Sequence, residues 1–362
     1  MSNPMHRSSL STHAVDRRAI VRAATATSAG LALGGLGTGP IARAQEPAAV
    51  TLALDWYPNA NHAGIYMAID RGYFIDAGID VEVYTPSDPT TVLQTVGAGR
   101  DTFGISYHAE VLYARAEDIP VVSIAAMVQH PLNSLMVLAD SPVERPGDLR
   151  DMSVAVSGVP SDEAFLDTML QADGASIADV ETINVGYDLL PAVLSGRADA
   201  VLGVYWTHET ILAEREGNPV RYFRVEDWGV PDYYELVLVA GESVITDQED
   251  TVRGLLGAMQ RGYNDAIAEP DAAIDLLVAA SPDLDIEVER EGIGLLAPLW
   301  TENGSIPFGS QTADRWESLA AWLTERELLA GEVDPAAAWR GDLLPTASGA
   351  SPAASPVATP AT

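Results

Sequence analysis

Lysine and cysteine are both missing: all 20 basic residues are arginine and the cysteine count is zero. Without a side-chain amine, no imine can form with a carbonyl substrate or with pyridoxal phosphate. Without thiols there is no thiolate nucleophile, no thiolate metal site, no disulfide and no lipid-modified cysteine. Positive charge is scarce as well, since 52 acidic residues against 20 arginines leave a formal charge of −32. Residues 1–44 hold five of the arginines and one acid, a net of +4, so the remainder of this −32 chain carries −36. Such a body repels phosphate backbones and anionic lipid, which argues against a nucleic-acid partner and for an acidic, solvated surface.

The chain does hold enough apolar residues, 47% of 362, for a sizeable core and for more than one domain. At its start, Arg17-Arg18 precedes a small-residue apolar run from Ala23 to Gly39, and Ala42-Arg43-Ala44 offers a cleavage pattern before Gln45. Residues 1–44 are therefore expected to be an export signal of the twin-arginine (Tat) kind, with an ordinary secretory signal as the alternative. The expected location is outside the cytoplasm, periplasmic or attached to the cell surface. Residues 345–362, built from Ser, Pro, Ala, Thr, Val and Gly with no charge, are expected to form a disordered tail.

Between these ends, strand and helix patterns alternate. Val50–Leu54, Ile79–Tyr84, Asp101–Ser106 and Val121–Val128 read as strands, with helical patterns at His62–Asp76, Thr90–Ala98 and Ala109–Glu117 between them. A second series begins after the short apolar strand Leu135–Ala139, and another short strand, Leu236–Ala240, leads into long helical patterns from Gln248 to Leu328. The pattern predicts an α/β protein of two lobes joined by two crossover strands, with a ligand cleft between them. Lobe one is expected to span 45–139 and 241–344, and lobe two 140–240.

In open α/β sheets ligands bind outside the carboxyl ends of the strands. Lobe one places Trp56, Asn59, His62, Tyr107 and Asn133 at such positions, and lobe two places Gly158, Tyr187, Tyr205, Glu209 and Tyr234 there. Ring faces with amide and carboxylate groups at the rim suit a flat, polar heteroaromatic molecule. Duller roles compete with this one: Asp55 suits a turn, Ser161 or Asp162 suits a helix N-cap, and Tyr66, Tyr73 and Phe74 suit packing. His62, His108, His130 and His208 all fall near strand ends, but no H-x-x-x-H or H-E-x-x-H spacing accompanies them, so no metal site is expected. No P-loop or G-x-S-x-G motif occurs, and neither a catalytic residue nor a cofactor is expected.

Several stretches carry a family likeness: Asp55-Trp56-Tyr57-Pro58-Asn59 with His62, Arg71-Gly72-Tyr73-Phe74, Gln129 with Pro131-Leu132-Asn133, Val185-Gly186-Tyr187-Asp188, His208-Glu209, and Gly229-Val230-Pro231 with Tyr234-Glu235-Leu236. From about Val50 to Trp300 the chain resembles the thiamine-pyrimidine (ThiY-like, SsuA/THI-like) family of ABC-transporter substrate-binding proteins. The resemblance implies a type II periplasmic-binding-protein fold, a monomer, a transporter permease as partner, and N-formyl-4-amino-5-aminomethyl-2-methylpyrimidine as ligand. With the aromatic and polar groups at the strand ends of both lobes, the ring is expected to lie between Trp56 and Tyr187 or Tyr234, with Glu209 accepting hydrogen bonds from the exocyclic amine and Asn59, His62 and Asn133 orienting the ring or its formamide. Riboflavin is the alternative ligand, because riboflavin-binding proteins resemble the same family. The family also contains a fungal pyrimidine synthase that consumes its own histidine and holds pyridoxal phosphate on a lysine. His62 resembles the position of that histidine, but Arg71 stands where the lysine is expected and Asp232–Glu235 where the enzyme has cysteines. The resemblance therefore points to a binder and away from the synthase.

Overall fold

The computed structural model describes residues 46–345; the expected export signal and the expected tail beyond residue 345 lie outside them. Ten strands form two five-stranded sheets. β1 (Ala48–Ala53), β2 (Ile79–Tyr84), β3 (Phe103–Ser106) and β4 (Val121–Ala126) come first along the chain. β5 (Asn133–Leu138), β6 (Ser153–Val156), β7 (Glu181–Asn184), β8 (Ala200–Tyr205), β9 (Val220–Arg224) and β10 (Val237–Gly241) follow. The first sheet runs β2-β1-β3-β10-β4 and the second β7-β6-β8-β5-β9. Both share one plan: parallel strands joined by helices, interrupted at the fourth place by a strand that runs antiparallel to its neighbours.

Those two antiparallel strands are the crossovers. β5 pairs with β8 and β9, and β10 pairs with β3 and β4, so each crossover strand joins the sheet it enters. The chain thus changes sheets before Asn133 and again before Val237, ahead of the expected boundaries at 139/140 and 240/241. Their runs, NSLMVL and VLVAG, are buried almost throughout and, after Asn133 and Ser134, apolar, as strands covered on both faces are, and so carry no alternation that would assign them to one sheet. This arrangement sets the cleft. The carboxyl ends of β1, β3, β6 and β8 and the amino ends of β5 and β10 all open toward the same crevice.

The helical pattern expected over His62–Asp76 is broken into Ala63–Asp70 and Tyr73–Asp76 by Gly72, whose φ of +70° no continuing helix allows. The first piece lies against the 20-residue helix Glu249–Ala268 at Gly262, where an added Cβ would sit 2.2 Å from the Gly64 carbonyl oxygen. This close approach anchors the segment between β1 and the helix Ala63–Asp70, which carries Asp55 to His62. One apolar core fills the first lobe around Leu52, Ile65 and Trp300. A second runs continuously from Val237 and Trp316 to Val154, Leu202 and Phe165, spanning both sheets. Among the described residues no helix is long and apolar enough to cross a membrane.

Candidate functional site

The crevice narrows to a tight inner cavity lined by residues of both sheets. Aromatic side chains form much of its wall: Trp56 and Tyr107 from the first lobe, Tyr205 and Phe165 from the second, and Tyr233 from the return crossover. Asn133, Ser157, Asp162, Glu209 and Glu235 supply polar groups, and no arginine or histidine is in the lining. Outside it, sharing Tyr107, Ser157 and Val159, lies a wider groove of about 590 Å³ that contains Tyr57, Glu110, Gly158 and Tyr187.

Three buried carboxylates of the crevice, Glu235, Asp162 and Glu110, are held by backbone donors. Glu235 Oε2 accepts from Leu132 N at 2.6 Å, Asn133 N at 3.1 Å and the Tyr233 hydroxyl at 3.0 Å. Asp162 Oδ2 accepts from Ser157 N at 2.9 Å, the Ser157 hydroxyl at 2.7 Å and Gly158 N at 3.1 Å. Glu110 reaches across from the helix His108–Ala116 to accept Ser161 N at 2.9 Å. Asp162 therefore ties the preceding loop and Ser161 donates to the opposite lobe; neither is the N-cap expected from sequence, a place taken by Val159 ahead of Pro160. Burial pushes these acids up, Glu110 and Glu235 to about 7 and Asp162 to about 6.

Glu209 differs. Burial opposes its ionisation too, but the imidazolium of His208 outweighs it and holds the carboxyl below its usual range. Its Oε2 accepts from Tyr205 N at 2.8 Å, while Oε1 lies 3.2 Å from His208 Nδ1. Burial pushes the phenols of Tyr107, Tyr205 and Tyr233 well up, so they stay neutral and can donate. The cavity thus offers ring faces, phenol donors and a fixed acceptor carboxylate.

Of the ten positions expected from sequence, Trp56, Tyr107, Asn133, Tyr205 and Glu209 line the inner cavity, and Gly158 and Tyr187 line the outer groove. The remaining three lie elsewhere. His62 is fully buried: its Nδ1 accepts from Asn59 N at 3.1 Å, which leaves the proton on Nε2 to donate to Asp55 Oδ1 at 3.0 Å. Asn59 caps the short turn that follows, its side chain accepting from Asn61 N at 2.9 Å. Both residues serve the local chain rather than the cavity, because the turn after β1 has buried donors that need partners. Tyr234 points the other way, into a nest of His108 and Arg315, and its hydroxyl accepts from Thr312 N at 2.9 Å.

Tyr233 and Glu235 take the place expected for Tyr234. The signal was available, since in the extended segment before β10 residues two apart share a face, and Tyr233 and Glu235 are such a pair. Among the described residues no group of three or more His, Asp or Glu side chains could hold a metal ion.

Residues 59–273 match the family model described as NMT1/THI5 like. The chain is similar to the formylaminopyrimidine-binding protein of Halalkalibacterium halodurans, 37% identical over 284 residues, covering 77% of this chain and 86% of that one. It is also similar to the 4-amino-5-hydroxymethyl-2-methylpyrimidine phosphate synthase of Aspergillus parasiticus, 24% identical over 67% of this chain and 73% of the relative. Among solved structures, the alkanesulfonate-binding protein SsuA of Xanthomonas axonopodis pv. citri superposes with a TM-score of 0.65 at 15% identity, over 82% of this chain and all of that one. That likeness shows the fold: two α/β lobes of the periplasmic-binding-protein kind.

Proposed function

The chain belongs to the NMT1/THI5-like family, and on that premise we propose that it is the extracytoplasmic substrate-binding protein of an ABC importer. Its ligand is the thiamine-pyrimidine precursor N-formyl-4-amino-5-aminomethyl-2-methylpyrimidine. The observation that carries this reading is the lining of the inner cavity, where Trp56, Tyr107, Tyr205 and Tyr233 surround Glu209 with no cationic side chain among them. A neutral aminopyrimidine meets ring faces on its faces and a carboxylate acceptor at its exocyclic amine. A sulfonate would instead face Glu209, Glu235 and Asp162, an arrangement that repels it.

The protein binds and does not turn over. The chain has no lysine on which pyridoxal phosphate could form an imine, and His62 is sealed between Asp55 and Asn59. Residues 1–44 act as a Tat export signal, and the mature chain works as a monomer that presents its closed lobes to a permease.

The test is to incubate the purified chain with equal amounts of the formylaminopyrimidine, thiamine, riboflavin and an alkanesulfonate, remove unbound molecules, and identify by mass spectrometry what denaturation releases. Retention of the pyrimidine is expected. Retention of riboflavin or the sulfonate in its place would overturn the ligand assignment. Incubation with pyridoxal phosphate and iron should leave the His62 peptide at unchanged mass, and its conversion would contradict the binder reading.

A further inference from the structure

The least conventional contact near the cavity lies behind Glu209. His208 sits between two carboxylates: Nδ1 is 3.2 Å from Glu209 Oε1, and Nε2 is 3.0 Å from Glu289 Oε1. Glu209 belongs to the second lobe and lines the cavity, whereas Glu289 lies on the helix Ile286–Trp300, which packs on the first lobe. Glu289 is only 1% exposed and His208 15% by side chain, so the contact is shielded from water.

A neutral imidazole carries one donor and one lone pair, so a neutral ring donating from Nε2 to Glu289 would leave Nδ1, which makes no hydrogen bond, as a bare lone pair 3.2 Å from a carboxylate oxygen. The imidazolium avoids this. Burial opposes the charge, but the carboxylates of Glu209 and Glu289 outweigh it and lift the ring to about 10.

Two further contacts bring the same parts together. The other oxygen of Glu289 accepts from Ala60 N at 2.6 Å, in the loop that carries Trp56. One turn along, Gly292 lets the helix approach so closely that an added Cβ would stand 2.8 Å from the Thr207 carbonyl oxygen. On the solvent side, Arg215 pairs loosely with Glu287 at 4.0 Å and Glu291 at 3.7 Å, the remaining charged groups at this contact.

We propose that His208 is a positioning and specificity-determining residue: clamped between Glu209 and Glu289, it keeps Glu209 a hydrogen-bond acceptor, so that the cleft selects rings presenting a donor at that point. The inference rests on the reading that the cavity takes an aminopyrimidine. An ionised carboxylate only accepts, so an exocyclic amine satisfies it and a carbonyl at the same ring position does not. Once His208 loses its charge, Glu209 takes up a proton more readily and can donate to the carbonyl instead.

The experiment compares affinities for the formylaminopyrimidine and its 4-oxo counterpart, measured calorimetrically in the unaltered protein, H208Q, H208R, E289Q and R215Q. The preference for the amine is expected to fall about tenfold in H208Q, the worth of one charge-assisted hydrogen bond. It should fall less in E289Q, be largely kept in H208R, which restores the charge, and be unchanged in R215Q. Equal weakening of both ligands in H208Q, with the ratio intact, would overturn the proposal, as would a drop in R215Q matching that in H208Q. A readout that needs no ligand is the ring itself: nitrogen NMR of histidine-labelled protein, assigned by comparison with H208Q, should find both His208 nitrogens protonated at pH 8. A neutral ring there overturns the inference by itself. If the unaltered protein binds neither pyrimidine while His208 is doubly protonated, it is the ligand assignment that fails.

Discussion

Trp56 and Tyr187 meet ring to ring across the cleft, their centroids 4.6 Å apart and their planes inclined at 59°. Trp56 follows a strand of the first sheet and lines the inner cavity, while Tyr187 follows a strand of the second and lines the outer groove. The pair therefore joins the lobes at the threshold between the two spaces. Tyr187 adds a hydrogen bond from its hydroxyl to the Pro86 carbonyl at 3.0 Å.

Two substitutions separate the contributions of this pair. Trp56→Ala removes a cavity wall and half of the tilted aromatic contact between the lobes, and should weaken pyrimidine binding about tenfold or more. Tyr187→Phe removes only the hydroxyl bond, worth about 1 kcal/mol, and should weaken binding roughly fivefold. Calorimetric titration of each variant checks this; equal affinities in Tyr187→Phe and the unaltered protein would mean that the lobes close without that bond.

Adjacent tyrosines should behave differently. Tyr233→Phe takes a donor from Glu235 inside the cavity, and a lower affinity is expected with little loss of stability. Tyr234→Phe leaves Thr312 N without its acceptor, so about 1 kcal/mol of stability should be lost while affinity stays unchanged. Denaturant unfolding alongside calorimetry gives both numbers, and the reverse pattern would contradict the facing assigned to this segment.

His62 is expected to be a stability residue. His62→Ala strands the Asp55 carboxylate and the Asn59 N–H in the interior, which should cost about 2 kcal/mol in denaturant unfolding. Affinity per folded molecule should change far less than in Trp56→Ala, and an affinity loss without a stability loss would return His62 to the ligand.

Stability should fall as pH rises from about 4.5 to 7. Glu110 and Glu235 are pushed up to about 7 and Asp162 to about 6, so across that window the folded chain holds protons the unfolded chain has released. Their contribution is present in full below the ordinary carboxylate range and disappears as pH climbs through the raised values. His208, lifted to about 10, acts in the same direction at higher pH: its contribution is complete below about 6.5 and is lost toward 10. Thermal melts from pH 4.5 to 8 should show Glu110→Gln and Glu235→Gln with flatter profiles than the unaltered chain. Parallel profiles would mean that these acids are not perturbed by folding.

Much of this was legible in the sequence, for physical reasons. The succession of strands and helices followed from periodicity, and Trp56, Tyr107, Tyr205 and Glu209 were placed by their positions just past strand ends. Strand ends say which residues can reach a cleft but not which way each side chain turns. The sequence points to Tyr234 where Tyr233 and Glu235 face inward, because one residue's shift along an extended chain reverses the side. Asn59 and His62 lie in the right loop, yet the need to satisfy its buried backbone donors turned them inward. The pairing of β5 and β10 with the opposite sheets had no local signal, since a strand buried on both faces fits either. β9 was missed because its run, VRYFR, is an edge strand with two arginines and only half-buried.

The most direct measurement is a calorimetric titration of the purified chain with N-formyl-4-amino-5-aminomethyl-2-methylpyrimidine. One site with a Kd of about 1 μM or tighter, some −8 kcal/mol, is expected. That lies within reach of a small ligand of about a dozen non-hydrogen atoms. No heat with the pyrimidine, together with tight binding of riboflavin or a sulfonate, would contradict an acidic, aromatic cleft built for an aminopyrimidine.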